Sequence, residues 1–549
     1  MEKEQEKIVS DVKELIDELK VICNEYGLSN TGNEYKIITE VFLYKFLNDK
    51  FLSEIRKVDN IFNNCKNSKD VEILLENIDD EKYEFLLAGL GGDIAKLKKS
   101  HLISYLYTRH KDDEFYKIFD NTLIDIANYN IEVFSVKTSS NEKIKLFDKL
   151  SNFVVETSKK DGFCRAIINK LVNKSFEKLF EQKYDAFAII FEYLLKDYNK
   201  DFGQYAEYYT PNSIARIIAR ILVKDNENVN DVTIYDPSAG SGTLLLALAH
   251  QIGEENCSIY SQDISQKSNE FLRLNLILNK LVHSLGNIVH ANTLTEPKHY
   301  NDGKTRLAQF DYIVSNPPFK CDFSSYRDSL TESKNQERFF AGVPNIPNKD
   351  KDKMAIYLMF IQHILYSLKE DGKAAIVVPT GFITAQSGIE KKIREKLINE
   401  KMLKGVISMP SNIFATTGTN VSVLFIDKSN RSGNVLLVDA SNLGEKVKED
   451  KNQKTVLREF EIERIIDTFA NLKIIDDFSV EVSYEQIKEK NYSFSAGQYF
   501  DIKIDYIELT QEEFNNKLDN YRRNLNKYFN ENKKLEEEIS KNLEELKYE

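Results

Sequence analysis

The sequence predicts an α/β protein: a mostly parallel, seven-stranded sheet, preceded by an all-α region and followed by a helical tail. Three observations carry this. Short β-rich runs alternate with amphipathic stretches between Val232 and Asp427, apolar residues upstream recur at helical spacing, and the last residues regain a heptad. Strands alternating with helices at such spacing imply βαβ units and hence parallel strands.

From Met1 to about Asp201 the chain reads as helical. Stretches such as "EYKIITEVFLYKFLNDKFL" and "YDAFAIIFEYLLKDY" place apolar residues at i, i+3, i+4 and i+7. Gly and Pro are sparse there, which suits helices and disfavours a sheet. The predicted strands then follow in order: "VTIYD", "CSIYSQD", "GNIVHA", "FDYIVS", "KAAIVVP", "LKGVISMP" and "VSVLFID". Most are separated by helical stretches such as "SGTLLLALAHQI" and "KMAIYLMFIQHILYSLK". The last two runs are too close for a crossover helix, so they form a hairpin with one antiparallel strand. Sheets of this kind bind ligands beyond the carboxyl ends of their strands.

After about Arg431 the pattern weakens. From Gln511 to Glu549 a heptad runs through Phe514, Leu518, Tyr521, Leu525, Tyr528, Leu535, Ile539 and Leu546, with Asn532 and Asn542 on the seam. That length suits a coiled coil or a helix docked on a partner. The expected division is a helical domain over 1–175, the α/β domain over 176–435, an extension over 436–510 and the heptad helix over 511–549.

At 549 residues the chain exceeds what one core normally serves. Its 42 % hydrophobic, 11 % aromatic and 30 % charged residues, with a mean hydropathy of -0.44, mark a soluble folded protein. A net charge of -12 argues against coating nucleic acid by bulk charge, so any such contact is local or shared with a partner. Cys23, Cys65, Cys164, Cys257 and Cys321 are scattered without Cys-x-x-Cys spacing, which disfavours disulfides and structural zinc. The seven His show no ligand spacing, and no metal site is expected. The charged start "MEKEQEKIVSDVKEL" does not resemble a signal peptide, no run is long enough to span a membrane, and a cytoplasmic location is expected.

Three stretches carry chemistry. "IYDPSAGSGTLL" puts Asp236 at a strand end, followed by a tight turn and a helix. Gly240 and Gly242 let backbone approach a ligand closely, with Ser238 and Ser241 beside them. The third glycine of a dinucleotide fingerprint and the phosphate-binding Lys of a P-loop are both missing. A neutral or cationic ligand bearing an adenosyl group fits better. The next strand ends in "YSQDIS", where Asp263 is placed to accept both hydroxyls of a ribose.

The third stretch is "SNPPF". Pro317 and Pro318 end the strand and fix two φ angles. The Asn316 side-chain oxygen and the Pro317 carbonyl are two acceptors that can take both hydrogens of one planar amino group. Accepting out of the ring plane favours pyramidalisation, which returns electron density to a delocalised nitrogen. Phe319 can stack on the ring, a contact worth roughly 1–3 kcal/mol.

"DPSAGSG", "SQD" and "SNPPF", in that order, resemble an S-adenosylmethionine-dependent DNA N6-adenine methyltransferase. Upstream, "DFGQYAEYYTP" resembles the segment that opens the cofactor pocket, ending in Tyr209, Thr210 and Pro211; in that family the Thr position contacts the methionine part of the cofactor. "DAFAIIFEYLL", "GKAAIVVPTGFI", "MPSNIFATTGTNVSVLF" and "NYSFSAGQYFDI" are similar to the modification (M) subunit of type I restriction-modification systems. The resemblance covers about Glu34 to Ile504. It implies a Rossmann-like methyltransferase sheet with S-adenosylmethionine as cofactor. Asn316, Pro317, Pro318 and Phe319 would be catalytic, acting on an adenine flipped out of double-stranded DNA. It also implies a separate specificity (S) subunit, two M per S, with a restriction (R) subunit as an optional addition. The S subunit would supply the positive surface that this acidic chain lacks. One departure is Asn292, in "HANTLTEP", where relatives often carry Asp against the cofactor's adenine; discrimination there is expected to weaken. The aromatic tied to the later "SNIFATTGTN" segment would be Phe414. A solitary methyltransferase with its own target recognition, an enzyme methylating RNA or protein amines, and a non-catalytic assembly subunit are the alternatives.

Overall fold

The computed structural model describes residues 2–29, 32–138, 143–181, 190, 193, 210–224, 229–414, 420–430, 433–449, 452–500 and 510–544. They divide into two compact units, Met1–Tyr499 and Phe500–Glu549.

The first unit opens with the helices Glu2–Glu25 and Gly32–Ile55, whose apolar faces bury Leu15, Ile16, Ile38 and Phe42. Asn67 and Asp79 start the next two helices by accepting backbone N–H groups of Asp70 and Lys82 at 3.1 and 2.7 Å. This region is not wholly helical. Two short strands form in it, β1 (Val136–Thr138) and β2 (Lys143–Ile144). Strands this short show no period in a sequence; they exist because a sheet edge offers them backbone partners.

That sheet continues with β3 (Val232–Asp236), β4 (Cys257–Asp263), β5 (Ile288–His290), β6 (Phe310–Ser315), β7 (Leu368–Pro379), β8 (Leu403–Ser408), β9 (Val421–Asp427) and β10 (Asn434–Asp439). A separate hairpin follows, β11 (Glu445–Glu449) with β12 (Asn452–Val456), and β13 (Ser479–Ser483) returns to the sheet. The order across it is β13-β10-β8-β9-β7-β6-β3-β4-β5-β1-β2. All seven predicted strands, β3 to β9, are present and adjacent. Among the described residues the sheet has eleven strands rather than seven, because β10 and β13 extend one edge and β1 and β2 the other. β9 runs antiparallel to both β7 and β8, while β3 to β7 pair in parallel. The hairpin expected at the end of the series is therefore there.

The chain lays β3, β4 and β5 outward in sequence, then returns to place β6 on the other side of β3. The crossovers diverge between β3 and β6, which opens a crevice at the carboxyl ends of these two strands. Between β6 and the helix Tyr357–Ser367 lies an insert with its own small core, in which Phe323, Leu330, Phe339 and Met354 pack on Leu294.

The second unit is dominated by one helix, Gln511–Glu544, of 34 residues. Its described side chains are exposed throughout, including Phe514, Leu518, Tyr521, Leu525, Tyr528, Leu535 and Ile539 of the heptad. Leu546 lies outside the described residues.

Candidate active site

The crevice between β3 and β6 brings the first and third motifs together. Thr210, Asp236, Ser238, Ala239, Ser241, Thr243, Leu244 and Asn316 line it. Asp236 ends β3, and its Oδ1 accepts the Ser238 N–H at 2.9 Å, an Asx turn that bends the chain away from the strand. The Ser238 and Ser315 hydroxyls are 2.7 Å apart, so the turn after β3 is stitched to the last residue of β6. Asn316 follows Ser315 and is only 7 % exposed; Pro317 is buried, and Pro318 and Phe319 are half-buried. Phe319 and Tyr357 form a T-shaped pair, ring centroids 6.4 Å apart.

Glycine is required at two points of the turn. Gly240 sits at φ +54° and Gly242 at φ +84°. A Cβ on Gly242 would stand 2.3 Å from Leu272 Cδ1, so this residue also allows close helix packing.

Asp263, at the end of β4, is half-buried. Its Oδ2 accepts the Gly240 N–H at 2.9 Å and its Oδ1 the Ser265 N–H at 2.8 Å. The carboxylate thus ties the glycine turn to β4, with lone pairs to spare on each oxygen. Burial pushes the Asp236 carboxyl up to about 7, against the hydrogen bonds from Ser238 and Ser315. Burial also raises Asp263, against its two backbone donors.

Thr210 is 5 % exposed, and its Oγ1 accepts from Asn316 Nδ2 at 3.1 Å. Pro211 begins the helix Asn212–Val223, its carbonyl accepting the N–H groups of Ile214 and Ala215 at 3.0 and 3.1 Å. Tyr209 lies outside the described residues, as does most of the "DFGQYAEYYTP" segment.

Asn292 lies just past β5, where the loop is pinned from several sides. Its Oδ1 accepts the Leu294 N–H at 3.0 Å, and its side chain bonds the Tyr326 hydroxyl. Thr293 Oγ1 donates to the Pro237 carbonyl at 2.7 Å, which joins this loop to the turn after β3. Arg338, from the insert, donates to the Thr293 and Leu294 carbonyls at 2.7 and 3.0 Å. Phe414 is buried in the core at 5 % exposure.

Sequence reasoning missed Tyr326, Arg338 and Ile264. Ile264 follows Asp263 directly and is 65 % exposed, unusual for so large an apolar side chain. Only its place after a strand-ending acid could have signalled it. Tyr326 and Arg338 sit in a polar stretch whose composition resembles a surface loop.

Among the described residues the crevice lining carries four hydroxyls, one carboxyl group and an amide, with no Lys or Arg. Such a donor and acceptor set fits a ligand with hydroxyls and a positive charge, and does not fit a phosphate.

Comparison with known proteins matches residues 182–505, more than half of the chain, to the family model of N-6 DNA methylases. The chain belongs to the N-6 DNA methylase family. The methylase subunit of the type I restriction enzyme MpnII from Mycoplasma pneumoniae is 33 % identical over 320 residues, 57 % of this chain and 56 % of that protein. The HindI methylase subunit from Haemophilus influenzae is 26 % identical over 363 residues, 62 % of this chain and 74 % of its own length. The chain therefore spans little more than half of its Mycoplasma relative. Among solved structures, a type I restriction-modification methyltransferase subunit from Streptococcus thermophilus superposes with a TM-score of 0.70 at 22 % identity, covering 90 % of this chain and 100 % of that one. This family member thus shares the α/β sheet architecture of that subunit.

Proposed function

We propose that the chain is the modification subunit of a type I restriction-modification complex, transferring a methyl group from S-adenosylmethionine to N6 of a flipped adenine in double-stranded DNA. The observation that carries this reading is the single crevice shared by Asn316 and the Asp236–Ser238 turn. An acceptor for the target amine and the turn suited to the cofactor stand side by side in it.

Bound there, S-adenosylmethionine supplies an electrophilic methyl group on a sulfonium. Tyr209, Thr210, Pro211, Asp236, Ser238, Gly240, Ser241, Gly242, Asp263 and Asn292 would hold it. Asp263 would take the ribose through its remaining lone pairs, and Ile264 would offer an apolar face to the adenine ring. Asn316 Oδ1 and the Pro317 carbonyl accept the two hydrogens of the target N6, and the prolines keep both acceptors fixed before the base arrives. Phe319 stacks on the flipped base. Holding the methyl donor and the target amine close together would supply much of the acceleration by proximity.

The acidic chain reads no sequence by itself. A specificity subunit supplies target recognition, two copies of this chain serve one such subunit, and a nuclease-translocase subunit is an optional third component. The exposed heptad of Gln511–Glu544 is an assembly surface. Removing residues after Thr510 is expected to abolish co-purification with the specificity partner while leaving S-adenosylhomocysteine affinity by calorimetry unchanged; intact assembly would reject this role.

The decisive experiment co-expresses the chain with a specificity partner and follows tritiated methyl transfer to duplex DNA. N6-methyladenine should appear only with both proteins present. Tight sequence-specific DNA binding by the chain alone would favour a solitary enzyme instead.

Asp236 adds a pH dependence. A carboxyl raised to about 7 holds its proton in the folded state at pH values where the unfolded chain has lost it. The free protein therefore loses stability as pH rises from the ordinary carboxylate range, near 4, to about 7, by up to a few kcal/mol. A cationic ligand in the crevice favours the ionised form, so its binding releases a proton within that window. Calorimetry at pH 6 in buffers of different ionisation enthalpy should detect this release, and Asp236→Asn should remove it.

A further inference from the structure

Two of the stretches similar to a modification subunit, "GKAAIVVPTGFI" and "NYSFSAGQYFDI", have no part in the chemistry proposed above. The fold joins both to Phe319 through a series of rings. The prolines fix the backbone that leads to Phe319, but they do not fix its ring. That side chain is half-buried, and the torsion that turns a phenyl ring is broad. A stacking face in such a place needs support from a neighbour.

Tyr357 is that neighbour. It opens the helix Tyr357–Ser367, is 5 % exposed, and crosses the Phe319 ring at an interplanar angle of 80°. Phe382, from the first stretch, crosses Tyr357 in turn at 82°, centroids 6.2 Å apart. Next comes Arg394, fully buried on the helix Gly388–Asn399. Its guanidinium lies 5.7 Å from the centroid of Phe382 and 5.7 Å from that of Phe494, which belongs to the second stretch. It donates to the carbonyls of Phe382 and Ala385, and to that of Tyr492 at 2.8 Å. The Phe494 N–H closes the joint by donating to the Ile383 carbonyl at 2.9 Å. A planar fork with three carbonyl acceptors has little freedom to move. Of the four rings, Tyr357, Phe382 and Phe494 are buried, and only Phe319 keeps an open flank.

We propose that Tyr357 is a positioning residue for the methyl-acceptor site, its crossed contact fixing the plane in which the Phe319 ring meets the flipped adenine. Crossed rings are a favoured arrangement because the positive edge of one meets the negative face of the other. The proposal rests on the adenine-methylating reading above. It gives the two stretches one task, which is to hold Tyr357 through Phe382 and Arg394.

The test uses the full chain assembled with its specificity partner, below the melting temperature of each variant. It reads kcat/KM for duplex DNA and, by calorimetry, S-adenosylhomocysteine affinity, to which Tyr357 contributes no proposed contact. Tyr357→Leu removes the ring and should lower kcat/KM roughly 3- to 10-fold, with that affinity unchanged. Tyr357→Phe keeps the ring and should keep the rate. In a Phe319→Leu background there is no stacking face left to aim, so Tyr357→Leu should change the rate by less than about twofold. Equal proportional losses in the two backgrounds would make Tyr357 merely structural and overturn the proposal. So would a parallel loss of S-adenosylhomocysteine affinity, or a Tyr357→Phe chain as slow as Tyr357→Leu. Should Tyr357→Leu not fold, Tyr357→Met takes its place under the same expectations. Should the Phe319→Leu chain be inactive, the difference between Tyr357→Leu and Tyr357→Phe at equal S-adenosylhomocysteine affinity decides. A wild-type assembly that methylates no adenine would instead sink the underlying function. An active wild type indifferent to Tyr357→Leu sinks the positioning role alone.

Discussion

Replacing Asn316 with alanine is expected to lower kcat about 100- to 1,000-fold, the scale seen when one preorganised hydrogen-bonding group is removed from a polar transition state. The argument is electronic as well as geometric. The lone pair of an exocyclic amine is delocalised into its ring, and nucleophilicity returns only as the nitrogen pyramidalises. Asn316 Oδ1 and the Pro317 carbonyl stabilise the out-of-plane hydrogens of that pyramidal form more than the planar ground state, so the effect falls on kcat. Cofactor affinity should persist, because the turn at Asp236 and Ser238 is held by its own bonds to Ser315 and, through Gly240, to Asp263. Single-turnover methyl transfer and calorimetry with S-adenosylhomocysteine separate the two. A variant that loses affinity or folding along with turnover would remove the catalytic role assigned to Asn316.

The legible part of this protein is the part built by local rules. Strands β3 to β9 announce themselves as β-branched runs closed by turn chemistry, and each motif sits at the carboxyl end of one of them. Knowing that Asp236 ends β3 and Ser315 ends β6 was enough to expect a shared site once the sheet order is of the switch-point kind. The edge strands were not legible for physical reasons. β1 and β2 are two or three residues long, β1 pairing with β5 and β2 with β1, while β10 and β13 lie where the alternating rhythm has faded. The seam between Thr210 and Asn316 is a contact across 106 residues, and no periodicity encodes it. The sequence places Asp263 to accept ribose hydroxyls, and the structure adds that its two oxygens each hold a backbone N–H, so it braces the glycine turn. The least legible feature is Arg338. In "KNQERFFAG" it resembles an ordinary solvated cation, and only the fold reveals that it is 4 % exposed.

That burial sets up the second large effect. The Arg338 guanidinium donates to His363 Nδ1 at 3.0 Å and to the carbonyls of Leu294 and Thr293 at 3.0 and 2.7 Å. Burial lowers the guanidinium to about 10, which leaves it charged at neutral pH. His363 is held well below the usual imidazole range, first by burial and then by the charge of Arg338. The imidazole is therefore neutral. With Nδ1 accepting from Arg338, its proton resides on Nε2 and points to the Tyr235 hydroxyl 3.1 Å away. Tyr235 precedes Asp236, so one buried chain of hydrogen bonds links the insert after β6, the loop after β5 and the turn after β3. Arg338→Met fills a similar volume but strands two carbonyls and a ring nitrogen in a dry interior. It is expected to destabilise the protein by roughly 3–5 kcal/mol, the combined cost of leaving several buried acceptors unsatisfied at about 1–3 kcal/mol each. Arg338→Lys should recover little of this, since a single ammonium cannot reach three acceptors that a planar fork meets at once. Urea unfolding of the three proteins measures the loss, and a shift below about 1 kcal/mol would mean that the network tolerates its own removal. Because the freed loop carries Asn292, S-adenosylhomocysteine affinity should fall in both variants even where most of the protein remains folded.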